Sequence, residues 1–215
     1  MTPTYWQEAQ NHLRQDAVLA RVIARFPDSV LKGRGAPFET LIRAVVGQQI
    51  SVKAADAVWT RVVASTGTMQ PANLLILTED ALRGAGLSGQ KVKYVRGIAQ
   101  GFADGTVHPG LWDDMPDEAI IAELTKLPGI GRWTAEMFLI FNLLRPNVLP
   151  LDDLGLLKGF EKHYGPIRGT AKLEGMKKYK KIAAALDKHS RHWQPYRTVA
   201  TWYLWRSLDP VEVEY

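Results

Sequence analysis

The segment Leu127-Pro128-Gly129-Ile130-Gly131-Arg132-Trp133-Thr134-Ala135 sets two glycines one residue apart, between two stretches whose apolar residues recur at helical spacing. Glycine reaches positive φ and leaves room for close backbone approach, so the pair allows a tight turn that aims the amides of the following helix outward. Those amides carry partial positive charge, which suits a phosphate, and Arg132 would add a full charge beside them. On spacing alone, a tight αα turn with no ligand is the simpler reading.

Working outward, Pro116, Asp117 and Glu118 form a start signal for a helix through Ile120, Ile121 and Leu124, and helical character resumes over residues 133–144. Further upstream, residues 6–26 read as a helix ended by Pro27, and a second runs from Phe38 to Gly47. Ser51, Asn73, Thr78 and Ser88 each read as the cap of a helix that follows. Near the C-terminus, residues 177–189 form a basic helix and 195–207 an aromatic-rich one. Hardly any stretch alternates long enough for a strand, so the chain is read as all-α.

Downstream of the hairpin, Pro150-Leu151-Asp152-Asp153-Leu154-Gly155-Leu156 places two carboxylates inside an apolar run. A carboxylate at the edge of a core can stabilise a developing cation or activate water; for either aspartate alone, capping a helix is the simpler role. Adjacent residues do not share a helix face, so at most one is expected in a cleft while the other caps. In Gly47-Gln48-Gln49-Ile50-Ser51, two long amides could hydrogen-bond bases or fill a gap in a base stack, or simply face solvent. The cluster Trp193, Tyr196, Trp202, Tyr203 and Trp205 is mostly core by its spacing, although indole faces also stack on bases. The run Lys177, Lys178, Lys180 and Lys181 could track phosphates or form a solvated face.

Composition narrows the chemistry. The 215 residues, 46% hydrophobic and 23% charged, are those of an ordinary globular chain. Its net charge of +5 and pI near 9.4 favour an anionic partner. With no cysteine, disulfides, thiolate zinc sites, cysteine-ligated iron–sulfur clusters and cysteine nucleophiles are excluded together. The 5 histidines show no metal spacing and none is assigned as a ligand. No membrane span or secretory h-region is expected.

Taken together, LPGIGRWTA, PLDDLGL, GQQIS and the late aromatic helix resemble the helix-hairpin-helix superfamily of base-excision DNA glycosylases, and within it the branch that removes alkylated purines. The resemblance covers roughly residues 38–206 and implies one bilobed all-helical unit over 1–215. A lobe of about 38–145 and another of 1–37 plus 146–215 would flank a cleft, with a helix-hairpin-helix DNA-binding motif. It implies Asp153 as the catalytic carboxylate, Trp133, Trp202, Gln48 and Gln49 around the substrate, and Gly129, Gly131, Arg132 and Thr134 on DNA phosphate. Trp133 stands where bifunctional members carry a Schiff-base lysine, so a monofunctional hydrolase is implied.

No cofactor and no catalytic metal are implied, although a monovalent cation at the hairpin fits the pattern. The expected partner is duplex DNA containing alkylated bases, bound by a monomer in the cytoplasm of a prokaryote or the nucleus of a eukaryote. A non-catalytic hairpin module, or a glycosylase for uncharged lesions, are the competing readings. The chain departs from this family in two ways. Helices begin almost at residue 1, where some members have a β-rich lobe, so a compact variant is expected; and the apolar wedge after the first glutamine is replaced by Gln49.

Overall fold

The computed structural model describes residues 2–208, all of whose regular elements are helices. No described helix is long and apolar enough to cross a membrane. The chain divides into two compact units: the first comprises the residues up to Gly33 together with those from Leu139 on, and the second Arg34–Phe138.

The first unit opens with α1 (Trp6–Leu13) and α2 (Ala17–Arg25). The sequence reads as one helix here, and the structure breaks it at Asp16. That side chain leaves helical geometry (ψ 111°) and accepts hydrogen bonds from the amides of Val18 and Leu19 at 2.8 and 3.2 Å, starting a new helix. The second Asp16 oxygen accepts from Tyr164 Oη at 2.7 Å and Trp193 Nε1 at 3.0 Å, so the cap also ties residue 16 to the far end of the chain.

Helices α3 (Pro37–Gly47), α4 (Val52–Thr66), α5 (Pro71–Leu75), α6 (Glu79–Gly84), α7 (Gly89–Ala103), α8 (Asp117–Leu124) and most of α9 (Arg132–Phe141) build the second unit. Ser51, Thr78 and Ser88 cap α4, α6 and α7 as expected. Asn73 does not cap: Pro71 takes the first turn of α5, and the Asn73 amide instead donates to the Thr68 carbonyl at 3.0 Å. α9 ends at Phe141, three residues before its predicted end, and Leu144 lies beyond it at φ 53°.

The core of this unit is aromatic, with Trp112 edge-on to both Phe102 and Phe138. The Trp112 indole donates to Glu123 Oε1 at 2.8 Å, and the same oxygen accepts from the His108 amide at 2.6 Å. A carboxylate that is only 8% exposed is thereby satisfied.

Returning to the first unit, α10 (Leu154–Tyr164), α11 (Gly175–His189) and α12 (Arg197–Arg206) complete it. α12 has buried residues all round, from Thr198 to Trp205, and packs against α10, α2 and α1. The approach to α10 depends on Gly159, where a Cβ would stand 3.0 Å from the Leu204 carbonyl oxygen.

Burial alone would raise the Glu123 carboxyl above its ordinary 4.5. The hydrogen bonds from the His108 amide, the Trp112 indole and the His108 ring outweigh burial and hold it lower. Ionised Glu123 therefore stabilises the fold above pH 4.5, and that contribution disappears as pH falls through the depressed folded value. Glu123→Gln is expected to destabilise the protein at neutral pH and to flatten the loss of stability below pH 4.5, read from urea unfolding across that range.

Candidate active site

The hairpin is seated on α7. A Cβ on Gly97 would lie 2.3 Å from Pro128, one on Gly101 2.4 Å from Leu127, and one on Gly129 2.5 Å from the Tyr94 ring. Gly97 and Gly101, four apart on one face of α7, open a groove that receives Leu127 and Pro128, while Tyr94 supports the turn about one helical step away. Gln48 Nε2 donates to the Gly129 carbonyl at 3.1 Å and pins the hairpin from the end of α3.

Within the turn the two glycines serve different ends. Gly129 has φ +82°, which an L side chain rarely adopts, and abuts Tyr94. Gly131 is exposed, and a Cβ there would meet nothing within 4 Å. Its role is to leave the approach to the start of α9 open. The first rung of that helix is Ala135 N to Gly131 O at 3.0 Å, and the amides ahead of it belong to the part of a helix that seeks acceptors outside. Thr134 is buried, so its side chain faces the protein and only its backbone suits a phosphate.

Arg132 corrects the sequence reading. Nη1 and Nη2 donate to Glu118 at 2.9 and 2.6 Å, and Nε donates to Glu136 at 3.0 Å. The bidentate Glu118 carboxylate raises the guanidinium further above its ordinary range. The charge expected to meet a phosphate is thus engaged by two carboxylates of its own chain, and the hairpin's attraction for an anion rests on backbone dipoles.

Of the two amides, Gln48 is used internally, as above. Gln49 is exposed at φ 60°, a costly conformation for a side chain of this kind, and Ile50 beside it is 41% exposed. An apolar side chain therefore does stand at this tip, one residue later than the family pattern places it.

In the first unit, Asp153 is 7% exposed whereas Asp152 is exposed. The capping role expected of one aspartate falls to Asp153, the one that the resemblance implies as catalytic. Asp153 itself caps α10: its Oδ1 accepts from the Leu156 amide at 2.6 Å and from Trp205 Nε1 at 2.7 Å. Gly155 makes the second bond attainable, since a Cβ there would lie 3.3 Å from Trp205 Cδ1 and 3.1 Å from the Asp153 oxygen. Trp205 in turn stacks on Phe141, with centroids 6.0 Å apart and planes at 11°.

Both late tryptophans of α12 are buried. Trp202, expected to stack on a base, is only 5% exposed and lies edge-on to Trp6 and Phe141. Its position on the inner face of α12 explains the burial, although its indole N–H is left without a hydrogen-bond acceptor. Trp205, which the sequence reading left in the core, is the one that touches the carboxylate; the small residue at 155 was the available signal. Trp133 is 37% exposed and presents ring surface at the start of α9.

An all-helical protein with an anion-ready hairpin and a buried, doubly bonded aspartate at a helix start is of the DNA-repair glycosylase class. The comparisons agree: residues 42–187 match the model of the HhH-GPD superfamily of base excision DNA repair proteins, and the chain belongs to that family. It is 31% identical over 193 residues to DNA-3-methyladenine glycosylase 1 of Schizosaccharomyces pombe, covering 88% of this chain and 80% of that protein. Among solved structures, a DNA-3-methyladenine glycosidase from Bacillus halodurans superimposes with a TM-score of 0.81 at 34% identity, covering 93% of this chain and 88% of the other. A Schizosaccharomyces pombe 3-methyladenine DNA glycosylase in complex with abasic DNA gives 0.74 at 30% identity, over 93% and 96% of the two chains.

The two hairpin glycines should separate by experiment. Gly129→Ala is expected to cost on the order of 2 kcal/mol or more of stability. Gly131→Ala should stay within about 0.5 kcal/mol of wild type yet weaken binding to duplex DNA of any sequence. Denaturant unfolding and fluorescence anisotropy on the same preparations give both readings.

Proposed function

We propose that this chain hydrolyses the N-glycosidic bond of purines alkylated at N3 or N7 in duplex DNA, releasing the free base and leaving an intact abasic site. The observation that carries this reading is Asp153: a buried carboxylate whose position is fixed by a backbone amide and an indole. Relatives named as 3-methyladenine glycosylases support the substrate class.

An alkylated purine already bears positive charge and departs readily, so protonation of the leaving group contributes little. What the reaction requires is stabilisation of the sugar as it acquires oxocarbenium character, together with a water to complete the substitution. A preorganised carboxylate supplies the first electrostatically and can orient the second. Water adds to the sugar carbon, the bond to the base breaks, and the base leaves with the bonding electron pair. The target nucleotide must first leave the stack, which costs less for a damaged base. The exposed indole of Trp133 favours a cationic base through its π face. Phosphate is held by the amides at the start of α9 rather than by Arg132.

Asp153→Asn keeps the shape and the capacity to accept both hydrogen bonds but removes the charge. Base release from methylated duplex is expected to fall by on the order of 10²-fold or more, with DNA affinity little changed. Retained excision in a folded Asp153→Asn protein would refute the assignment, and retained excision there with loss in Asp152→Asn would transfer the role to the neighbour.

Strand scission by β-elimination needs an amine that forms an imine with the opened sugar, and residue 133 is tryptophan. Borohydride added during turnover should trap no protein–DNA adduct, and strands should break only after alkali. A trapped adduct would show that an amine attacks the sugar.

A further inference from the structure

Apart from the proposed active site, the first unit gathers a second chemistry-bearing cluster. Asp16 at the start of α2 faces His189, the last residue of α11, and His192, in the short 3-10 helix Ser190–Trp193 that follows. The Nε2 atoms of His189 and His192 lie 3.3 and 3.0 Å from the same carboxylate oxygen, Oδ2. The three ligand atoms all lie within 4.8 Å of one another.

Oδ2 is held by Trp193 Nε1, which can only donate, at 3.0 Å and by Tyr164 Oη at 2.7 Å. Two imidazole nitrogens converge on the same atom, and neither is needed to hold the carboxylate in place. With its proton on Nδ1, each instead presents a lone pair, and two imidazole lone pairs converging beside a carboxylate oxygen are the donor set of a borderline divalent ion.

Bonds of about 2.0–2.2 Å at a tetrahedral angle put ligand atoms roughly 3.3–3.6 Å apart. The His189 nitrogen, 3.3 Å from Oδ2, already stands at that spacing, and the His192 nitrogen, at 3.0 Å, needs to move out by a few tenths of an ångström. The oxygen is held in place without the histidines, because the Tyr164 and Trp193 bonds act as the outer-shell supports that orient metal-binding carboxylates. Asp16 Oδ1 is fixed as the α2 cap. The Asp16 side chain is 6% exposed, while those of His189 and His192 are 34% and 51% exposed, giving an entry path and room for water as the fourth ligand.

We propose that Asp16, His189 and His192 form a binding site for a zinc-type divalent cation, which bridges the start of α2 to the segment that follows α11. The ion stabilises this unit and takes no part in base excision. In sequence, His189 and His192 are an i, i+3 pair whose third ligand lies at residue 16, so no local pattern announces the site.

Tag-free protein, stripped with EDTA and dialysed, is titrated with ZnCl₂ by calorimetry and with CoCl₂ by visible absorption, and its thermal midpoint is followed. One zinc per chain, d–d bands on adding cobalt, and a rise in midpoint with zinc are expected. His189→Gln and His192→Gln, checked for folding by circular dichroism, should each weaken zinc binding by roughly tenfold or more and lose the thermal shift. His108→Gln should retain both. Absence of zinc binding by wild type, or equal binding by the two folded histidine variants, would overturn the proposal and leave the cluster as a hydrogen-bonded cage.

Discussion

The arrangement of the hairpin unit depends on two missing side chains. Without Cβ atoms at Gly97 and Gly101, α7 offers a groove just deep enough for Leu127 and Pro128, and the hairpin is seated on backbone instead of suspended from its own turn. Everything the hairpin presents follows from that seat. Gln48 can reach the Gly129 carbonyl, Tyr94 can close under the left-handed glycine, and α9 begins at a fixed place. Interior packing tolerates little excess volume, so even a methyl group in this groove would displace the turn and the helix start together.

In the other unit the analogous constraint is a shared atom. Asp153 Oδ1 is at once the cap of α10 and the acceptor for Trp205, so the carboxylate is oriented by the same bonds that hold the helix. A site built on a helix start and a buried indole is more exactly placed than one on a free loop, and the stacking of Phe141 on Trp205 extends that rigidity one residue further. The ion-paired Arg132 belongs to the same logic. With its guanidinium bound by Glu118 and Glu136, it serves as a structural strut at the helix start.

The all-helical class was legible from periodicity, as were the Ser51, Thr78 and Ser88 caps, because capping is a local matter of one side chain and the next turn. Asp16 escaped because its neighbours continue the apolar stripe across the break, and its capping bonds are reinforced by residues 164 and 193, which no window of sequence includes. The hairpin was legible from its glycines, but Gly97 and Gly101 read only as weak points in a helix. Asp153 was singled out through a resemblance, and its partner was not: choosing Trp205 over Trp202 needs the rotation of α12, which a helix apolar on every face does not reveal. Arg132 shows the converse limit, since a charge read from sequence as available can be engaged by carboxylates at 118 and 136.

The division of the chain also sets an order of assembly. Residues 34–138 are contiguous and can complete their unit while the remainder is still being synthesised. The first unit cannot, because α1 and α2 emerge with apolar faces that α12 covers, and α12 begins at residue 197. Until α12 is made those two short helices lack that cover, and they are too short to be stable alone. A chain built this way keeps an early helix pair waiting for a late partner, which leaves the pair dependent on chaperones and open to proteolysis until folding closes.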